Sequence, residues 1–332
     1  MISLVSTIDA HAGGQAFRLI VDGVPRPSGA SLAQRRDWLR RRADHVRRGV
    51  LLEPRGHAGL RGGLLTEPVS PGSHAGLLFA DADGYPPLSL GGVIATVTIA
   101  LERGLVHGSG HDLQLDTAAG IVRARALVEE RGGMPRVGSV AVTNVPAFVQ
   151  AAAQPVKLRA RDLRVDIAFG GRFHAIVDTE ATGVPLTIAA LPELSRLAVD
   201  LCASANAALR VAHPAEPALA GIAGVIFTGP PQDPEADLRN VSVTAGGRVN
   251  RSPGGTSTSA VMAVLDAMGM LPEDRPFVHE GLAGTLFRGR PVRRTIVGDH
   301  PAIVTEIEGS AWITGEHRFF LDEEDPFREG SY

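Results

Sequence analysis

Apolar and polar positions recur along this chain at two periods, and the switches between them mark its elements. The opening, "LVSTIDAHAGGQAFRLIVDGVP", alternates with period two, as half-buried strands do. Residues 31–48, "SLAQRRDWLRRRADHVRR", change to a helical period, with Ser31 as cap and Leu32, Trp38, Leu39 and Val46 as the apolar side. Short strands broken by Gly and Pro follow in "VLLEPRG", "GGLLTEPV" and "AGLLFADADGY". Then "PPLSLGGVIATVTIALERG" passes from a glycine-rich turn into a helix from about Gly92 to Arg103, ended by Gly104.

Strands resume in "HDLQLDTAAGIVRARALVEE", "GSVAVTNVPAFV" and "LRVDIAFGGRFHAIVDTE", and a second amphipathic helix covers roughly 191–212. Two further strands lead to "NRSPGGTSTSA", residues 250–260, which opens a helix stopped near Gly269, and the tail is again strand-like. Each half therefore holds many short strands and one helix that starts from a glycine-rich turn. Backbone N–H groups at such a mouth attract an anion. Two mouths could hold one small carboxylate, although two ordinary helix starts would read the same on spacing alone.

With 332 residues, 44% apolar and 21% charged, the chain has material for two globular domains. A net charge of −3 gives no reason to expect nucleic acid or an anionic membrane, so the arginines of 31–48 read as a solvated helix face. Lys157, the only lysine, lies in the polar connection "QPVKLRARD" and reads as surface rather than as a Schiff-base residue. Cys202 is the only cysteine, which excludes an internal disulfide and a zinc site of several thiolates; its helical surroundings suggest a small buried hydrophobe. No apolar run is long enough to span a bilayer as a helix, no leader is evident, and a cytoplasmic location is the default expectation. No metal site is expected from the sequence.

At the two glycine-rich turns, and almost end to end, the chain resembles the proline racemase family, which includes 4-hydroxyproline epimerases and trans-3-hydroxyproline dehydratases. The segments that carry the likeness are "IDAHAGGQAFRLIVDG", "LLEPRGHAGLRGGLLTEPVSPGSHAGLLFADADGY", "DIAFGGRFHAIVDTE", "HEGLAGTLFRGR" and "GSAWITGEHRFFLDEEDPF". The resemblance implies an α/β fold of two pseudo-symmetric halves, each of strands wrapped around a central helix, diaminopimelate-epimerase-like, with the active-site cleft between them. It places the N-terminal half at 1–145, joined by segment 318–332, and the C-terminal half at 146–317. It implies no cofactor, a small cyclic amino acid with a free carboxylate as partner, and two thiols flanking Cα; a homodimer is left open.

Carried over residue by residue, the family's Met-Cys-Gly-His-Gly turn reads Leu88, Ser89, Leu90, Gly91 and Gly92 here. Ser89 thus takes the first thiol's place, and Gly91 that of a substrate-holding histidine. In the second turn, Asp-Arg-Ser-Pro-Cys-Gly-Thr-Gly, Gly254 stands for the second cysteine, Asn250 for the aspartate that meets the substrate amine, and Ser257 for a glycine. Gln15 stands where glutamate is usual and His174 where an aromatic residue is usual, a candidate polar contact. His11 is a candidate lining residue, and His57 suits loop support. The amides of Gly91, Gly92, Gly255 and Thr256 would bind the carboxylate.

Gly254 can neither give nor take a proton, so Ser89 working alone points to a one-base reaction such as trans-3-hydroxyproline dehydration. Two alternatives stay open: a racemase or 4-hydroxyproline epimerase whose second base is Ser252, Thr256 or Ser257, and an imino-acid-binding protein without catalysis.

Overall fold

A computed structural model describes residues 2–106, 110–158 and 161–331. In chain order the first elements are β1 (Ile2–Ala12), β2 (Gln15–Asp22), α1 (Leu32–Arg42), α2 (Asp44–Leu51), β3 (Arg61–Thr66), β4 (Ala75–Ala80) and α3 (Leu90–Glu102). There follow β5 (Asp112–Thr117), β6 (Gly120–Arg131), β7 (Met134–Thr143), β8 (Ala147–Leu158), β9 (Arg161–Phe169) and β10 (Phe173–Asp178). After α4 (Thr179–Thr182) and α5 (Leu191–Ala208) come β11 (Ile222–Gly229), β12 (Leu238–Thr244), β13 (Val249–Asn250) and α6 (Gly255–Ala267). The last strands are β14 (Phe277–Gly281), β15 (Leu286–Val297), β16 (His300–Gly309) and β17 (Ala311–Asp322).

The chain forms two compact units, Met1–Val142 with Gly309–Tyr332, and Thr143–Glu308. In the first, β17 pairs antiparallel with β1 along residues 311–322, which attaches the end of the chain to its beginning. The pairing then runs β1–β2 antiparallel, β2–β3 parallel, β3–β4 antiparallel, β4–β5 parallel and β5–β6 antiparallel. The second unit repeats this order: β8–β9 and β9–β10 antiparallel, β10–β11 parallel, β11–β12 antiparallel, β12–β14 parallel and β14–β15 antiparallel. Here β15–β16 and β16–β8 pairs close the ring. In both units a helical excursion precedes the fourth strand, and a second helix, α3 or α6, follows the fifth. The duplication seen in the turns is a duplication of topology.

Each of those second helices is buried over most of its length because strands surround it. Leu90 and Gly92 to Ala100 are buried along α3; so are Gly255 and Ser257 to Ala263 along α6. Polar residues inside a core need partners, and Thr258 and Ser259 of α6 have them in the site described below.

Four sequence expectations change. The helix of 31–48 breaks at Ala43 (φ −138°), into α1 and α2. Ser31 does cap α1, accepting from Gln34 N. The run Arg40 to Arg42 favours a C-terminus and Asp44 a new N-terminus, so charge marks the break that the apolar period passes over. "VLLEPRG" starts inside α2 instead of forming a strand, and the 191–212 helix ends at Ala208. Lys157 is exposed, but on β8 and not in a connection.

Candidate active site

At the mouth of α3, the approach from β4 is pinned by Arg47, which donates to the carbonyls of Asp81 (2.7 Å) and Ala82 (2.9 Å). Asp81 Oδ1 in turn accepts from the N–H groups of Asp83 and Gly84. The chain arrives extended at Ser89, whose Oγ caps the helix by accepting from Gly92 N at 3.2 Å. Val93 N makes the first intrahelical bond, to Ser89 O, so the N–H groups of Leu90 and Gly91 have no carbonyl within the helix. These dipoles favour negative charge on the half-buried Ser89 oxygen.

The two glycines of this turn differ. A Cβ on Gly92 would stand 2.7 Å from Phe79 and 2.9 Å from Phe17, so the helix start packs against two rings only because that side chain is missing. A Cβ on Gly91 would meet nothing nearer than Ala12, at 3.9 Å. Of the neighbouring candidates, His11 stacks on Trp312 (5.2 Å between centroids) and accepts from Gly14 N through Nδ1. Exposed His57 accepts from Gly59 N, and Gln15 donates to Gly59 O at 2.6 Å; both hold a loop.

At the mouth of α6 the loop Asn250–Gly254 is fixed from behind. Asn240 Nδ2 donates to Pro253 O (2.9 Å), and Ala283 N donates to Arg251 O (3.0 Å). A Cβ on Gly281 would lie 2.5 Å from Arg251 O and 2.6 Å from Pro253 N, so this glycine is what lets β14 back the loop. Gly170 plays the same part for the first turn of α6, where a Cβ would come within 2.3 Å of Thr256 O. Buried Asn144 ties the two together, donating to Gly170 O (3.0 Å) and Ser259 Oγ (2.9 Å).

Within the loop, Asn250 Oδ1 accepts from Ser252 N (3.0 Å) and Ser252 Oγ (2.8 Å). Gly254 has φ +71°, a conformation that a side chain would strain. A Cβ there would also lie 3.0 Å from Ser257 Oγ and 3.1 Å from Asn250 Nδ2. Gly254 O accepts from both N (2.7 Å) and Oγ1 (2.9 Å) of Thr258, leaving the N–H groups of Gly255, Thr256 and Ser257 at the helix end.

Under this turn lies a group that the sequence reading did not single out. His279 is fully buried, with Nδ1 3.0 Å from Thr258 Oγ1 and 3.4 Å from Asn240 Nδ2. Its Nε2 has no hydrogen-bond partner among the described residues, and burial pushes its pKa down to about 3. The one cue was a histidine inside the otherwise strand-like "FVHEG". His174 lies buried on β10, between Ala168 of β9 and Gly224 of β11.

Thus Ser89, Gly91 and Gly92 gather at the first mouth, and Asn250, Gly254, Gly255, Thr256 and Ser257 at the second. The first offers a capped hydroxyl with amide dipoles; the second offers donors. Among the described residues no group of His, Cys, Asp and Glu is arranged to hold a metal, and no helix is long and apolar enough to cross a membrane.

Known proteins match this chain over almost its whole length. The family model described as proline racemase matches residues 7–332. A trans-3-hydroxy-L-proline dehydratase of Azospirillum brasilense is 38% identical over 327 residues, 98% of this chain and 97% of its own. A 3-hydroxyproline 2-epimerase of Burkholderia multivorans has the same identity and coverage. The crystal structure of a hydroxyproline epimerase from Agrobacterium vitis, with bound trans-4-hydroxy-L-proline, superposes with a TM-score of 0.89 at 29% identity, covering 99% of this chain and 95% of that one. The chain belongs to the proline racemase family.

Proposed function

We propose that this protein is a one-base enzyme that removes the Cα proton of an imino acid, and that its reaction is the dehydration of trans-3-hydroxyproline. The observation that carries this reading is the contrast between the two mouths. Ser89 presents an oxygen supported by the Gly92 N–H and the start of α3, whereas Gly254 presents nothing that can exchange a proton. In the trans isomer Cα–H and the 3-hydroxyl lie on the same ring face. Ser89 on that face takes the proton, the electrons of the Cα–H bond form Cα=C3, the C3–O bond breaks, and the hydroxide leaves as water with the proton Ser89 returns. The amides of Gly91, Gly92, Gly255 and Thr256 would hold the carboxylate and the charge that develops beside it. Asn250 and His174 would contribute to binding.

Stereoinversion would need a second group on the opposite face. Ser252 is a poor candidate, because its hydroxyl already donates to Asn250 Oδ1. Ser257 has the Asn250 amide nitrogen as its neighbour across Gly254, which offers no acceptor for its proton.

The test is proton NMR in D₂O with L- and D-proline and the 3- and 4-hydroxyproline isomers. Loss of the 3-hydroxyl from the trans-3 isomer, abolished in Ser89→Ala with ligand binding retained, is expected. Full turnover in Ser89→Ala would refute the role given to Ser89. Exchange with inversion would return the epimerase reading, and binding without any exchange would leave a non-catalytic clamp.

A further inference from the structure

Two carbonyls at the start of α6 carry more hydrogen bonds than a helix asks of them. Gly254 O accepts from Thr258 Oγ1 (2.9 Å) as well as from Thr258 N (2.7 Å). Gly255 O accepts from Ser259 Oγ (3.1 Å) on top of its place in the helical ladder. Both hydroxyls are buried, and back-bonding of this kind slightly destabilises a helix. Val93 and Ile94, at the matching positions of α3, have no hydroxyl.

The direction of these bonds is fixed from behind. Thr305 is buried, and Ser259 Oγ, 2.8 Å away, is the one partner of its hydroxyl among the described residues. A buried proton left unpaired is costly, so Thr305 donates to Ser259. Asn144 Nδ2 can only donate, and does so to the same oxygen at 2.9 Å. With two donors on its oxygen, Ser259 sends its own proton to Gly255 O. Thr258 likewise has one proton, which goes to Gly254 O, so the contact at 3.0 Å from His279 Nδ1 is a donation by the ring. Burial keeps that ring neutral, with a single N–H. Placing the proton on Nδ1 leaves a bare lone pair at the partnerless Nε2, where the other tautomer would bury an unpaired N–H. Asn240 Nδ2 lies farther from Nδ1, at 3.4 Å, and bonds Pro253 O.

The Gly254 carbonyl shares its peptide plane with the N–H of Gly255, and the Gly255 carbonyl with the N–H of Thr256. A donor on the oxygen polarises the peptide unit and holds its plane, so the N–H becomes a stronger and better fixed donor. Ala260, four residues after Thr256, has no hydroxyl, and the Ser257 N–H gains no such support. We infer that Thr258 and Ser259 are positioning residues: the relays His279–Thr258–Gly254 and Thr305–Ser259–Gly255 strengthen the Gly255 and Thr256 amides toward the substrate carboxylate. The inference rests on the imino-acid reading of this mouth and adds which of its amides are tuned, and by which side chains.

Amide NMR of the full chain, isotope-labelled at glycine and threonine nitrogen, tests it. Thr258→Val should move chiefly the Gly255 amide proton upfield, and Ser259→Ala chiefly that of Thr256. Thr258→Ser, which keeps the hydroxyl, should restore Gly255. Histidine nitrogen labelling, with His279 assigned by its absence in His279→Asn, should show a protonated Nδ1 and a bare Nε2. Calorimetric titration with trans-3-hydroxy-L-proline should give about fivefold weaker binding in Thr258→Val and Ser259→Ala, recovered in Thr258→Ser. Ser259→Ala strands the Asn144 and Thr305 donors; should it fail to fold, the Thr258 variants carry the test. Amide shifts that do not follow this pairing, a ring protonated on Nε2, or native affinity in Thr258→Val would overturn the inference and leave the imino-acid reading standing. No binding of trans-3-hydroxy-L-proline or L-proline by the native chain would overturn that reading, and the inference with it.

Discussion

Protonation of His279 should limit this protein's stability in mild acid. The ring is fully buried, its Nδ1 engaged with Thr258 and its Nε2 without a partner among the described residues, and burial lowers its pKa from 6.5 to about 3. Between those values the unfolded chain binds a proton that the native chain refuses. The contribution is therefore level above pH 6.5, falls as pH drops through the unfolded value, and levels off again below about 3. Working the two pKa values through the linkage relation gives a loss of about 2 kcal/mol at pH 5 relative to pH 8, and the limiting slope is about 1.4 kcal/mol per pH unit. Urea unfolding at intervals from pH 8 to 4.5 measures it. The comparison is His279→Asn, which keeps a polar atom near the Nδ1 position and does not titrate in this range. The native chain should lose about 2 kcal/mol more than the variant between pH 8 and 5. Parallel curves would mean that the native ring takes up a proton, and would refute the buried neutral histidine.

Two other outcomes follow from packing. Gly281→Ala should displace the Asn250–Gly254 loop through the 2.5 Å approach to Arg251 O, lowering stability by about 1–3 kcal/mol and ligand affinity with it, although Gly281 is placed behind the loop; titration of the variant with the best ligand checks this. Cys202, buried on α5 with its thiol pushed up to about 12 by burial, should resist iodoacetamide in the native protein at pH 8 and react fully in urea; native labelling at the unfolded rate would contradict its burial.

Much of the architecture could be read from local pattern. The helices after "SLGG" and "SPGG" could be read from the pattern, and their stops from Gly104 and Gly269, glycines that take φ of +64° and +67°. Ser31 was readable as a cap because an N-cap is a local hydrogen bond between a side chain and the N–H three residues on; Ser89 makes the same bond, which the sequence reading did not assign to it. The break at Ala43 escaped because the apolar period continues through it.

By itself, the sequence determined which residues could stand at the site: Ser89 without a thiol, Gly254 without a side chain, Asn250 without a charge. It also determined the family, since that likeness resides in residues and their order. Only the tertiary structure decided which way those residues offer their chemistry. Asn250 reads equally well as donor or acceptor until Ser252, folded back on its oxygen, commits the amide nitrogen to the space over Gly254. Ser252, Thr256 and Ser257 are equivalent hydroxyls in a string, and become unequal once the first is already bonded to Asn250. His279 is one of 11 histidines until β14 carries it under the first turn of α6, far from it in sequence yet within hydrogen-bonding reach of Thr258. Hydrogen-bond direction and burial are properties of neighbours, and folding decides who the neighbours are.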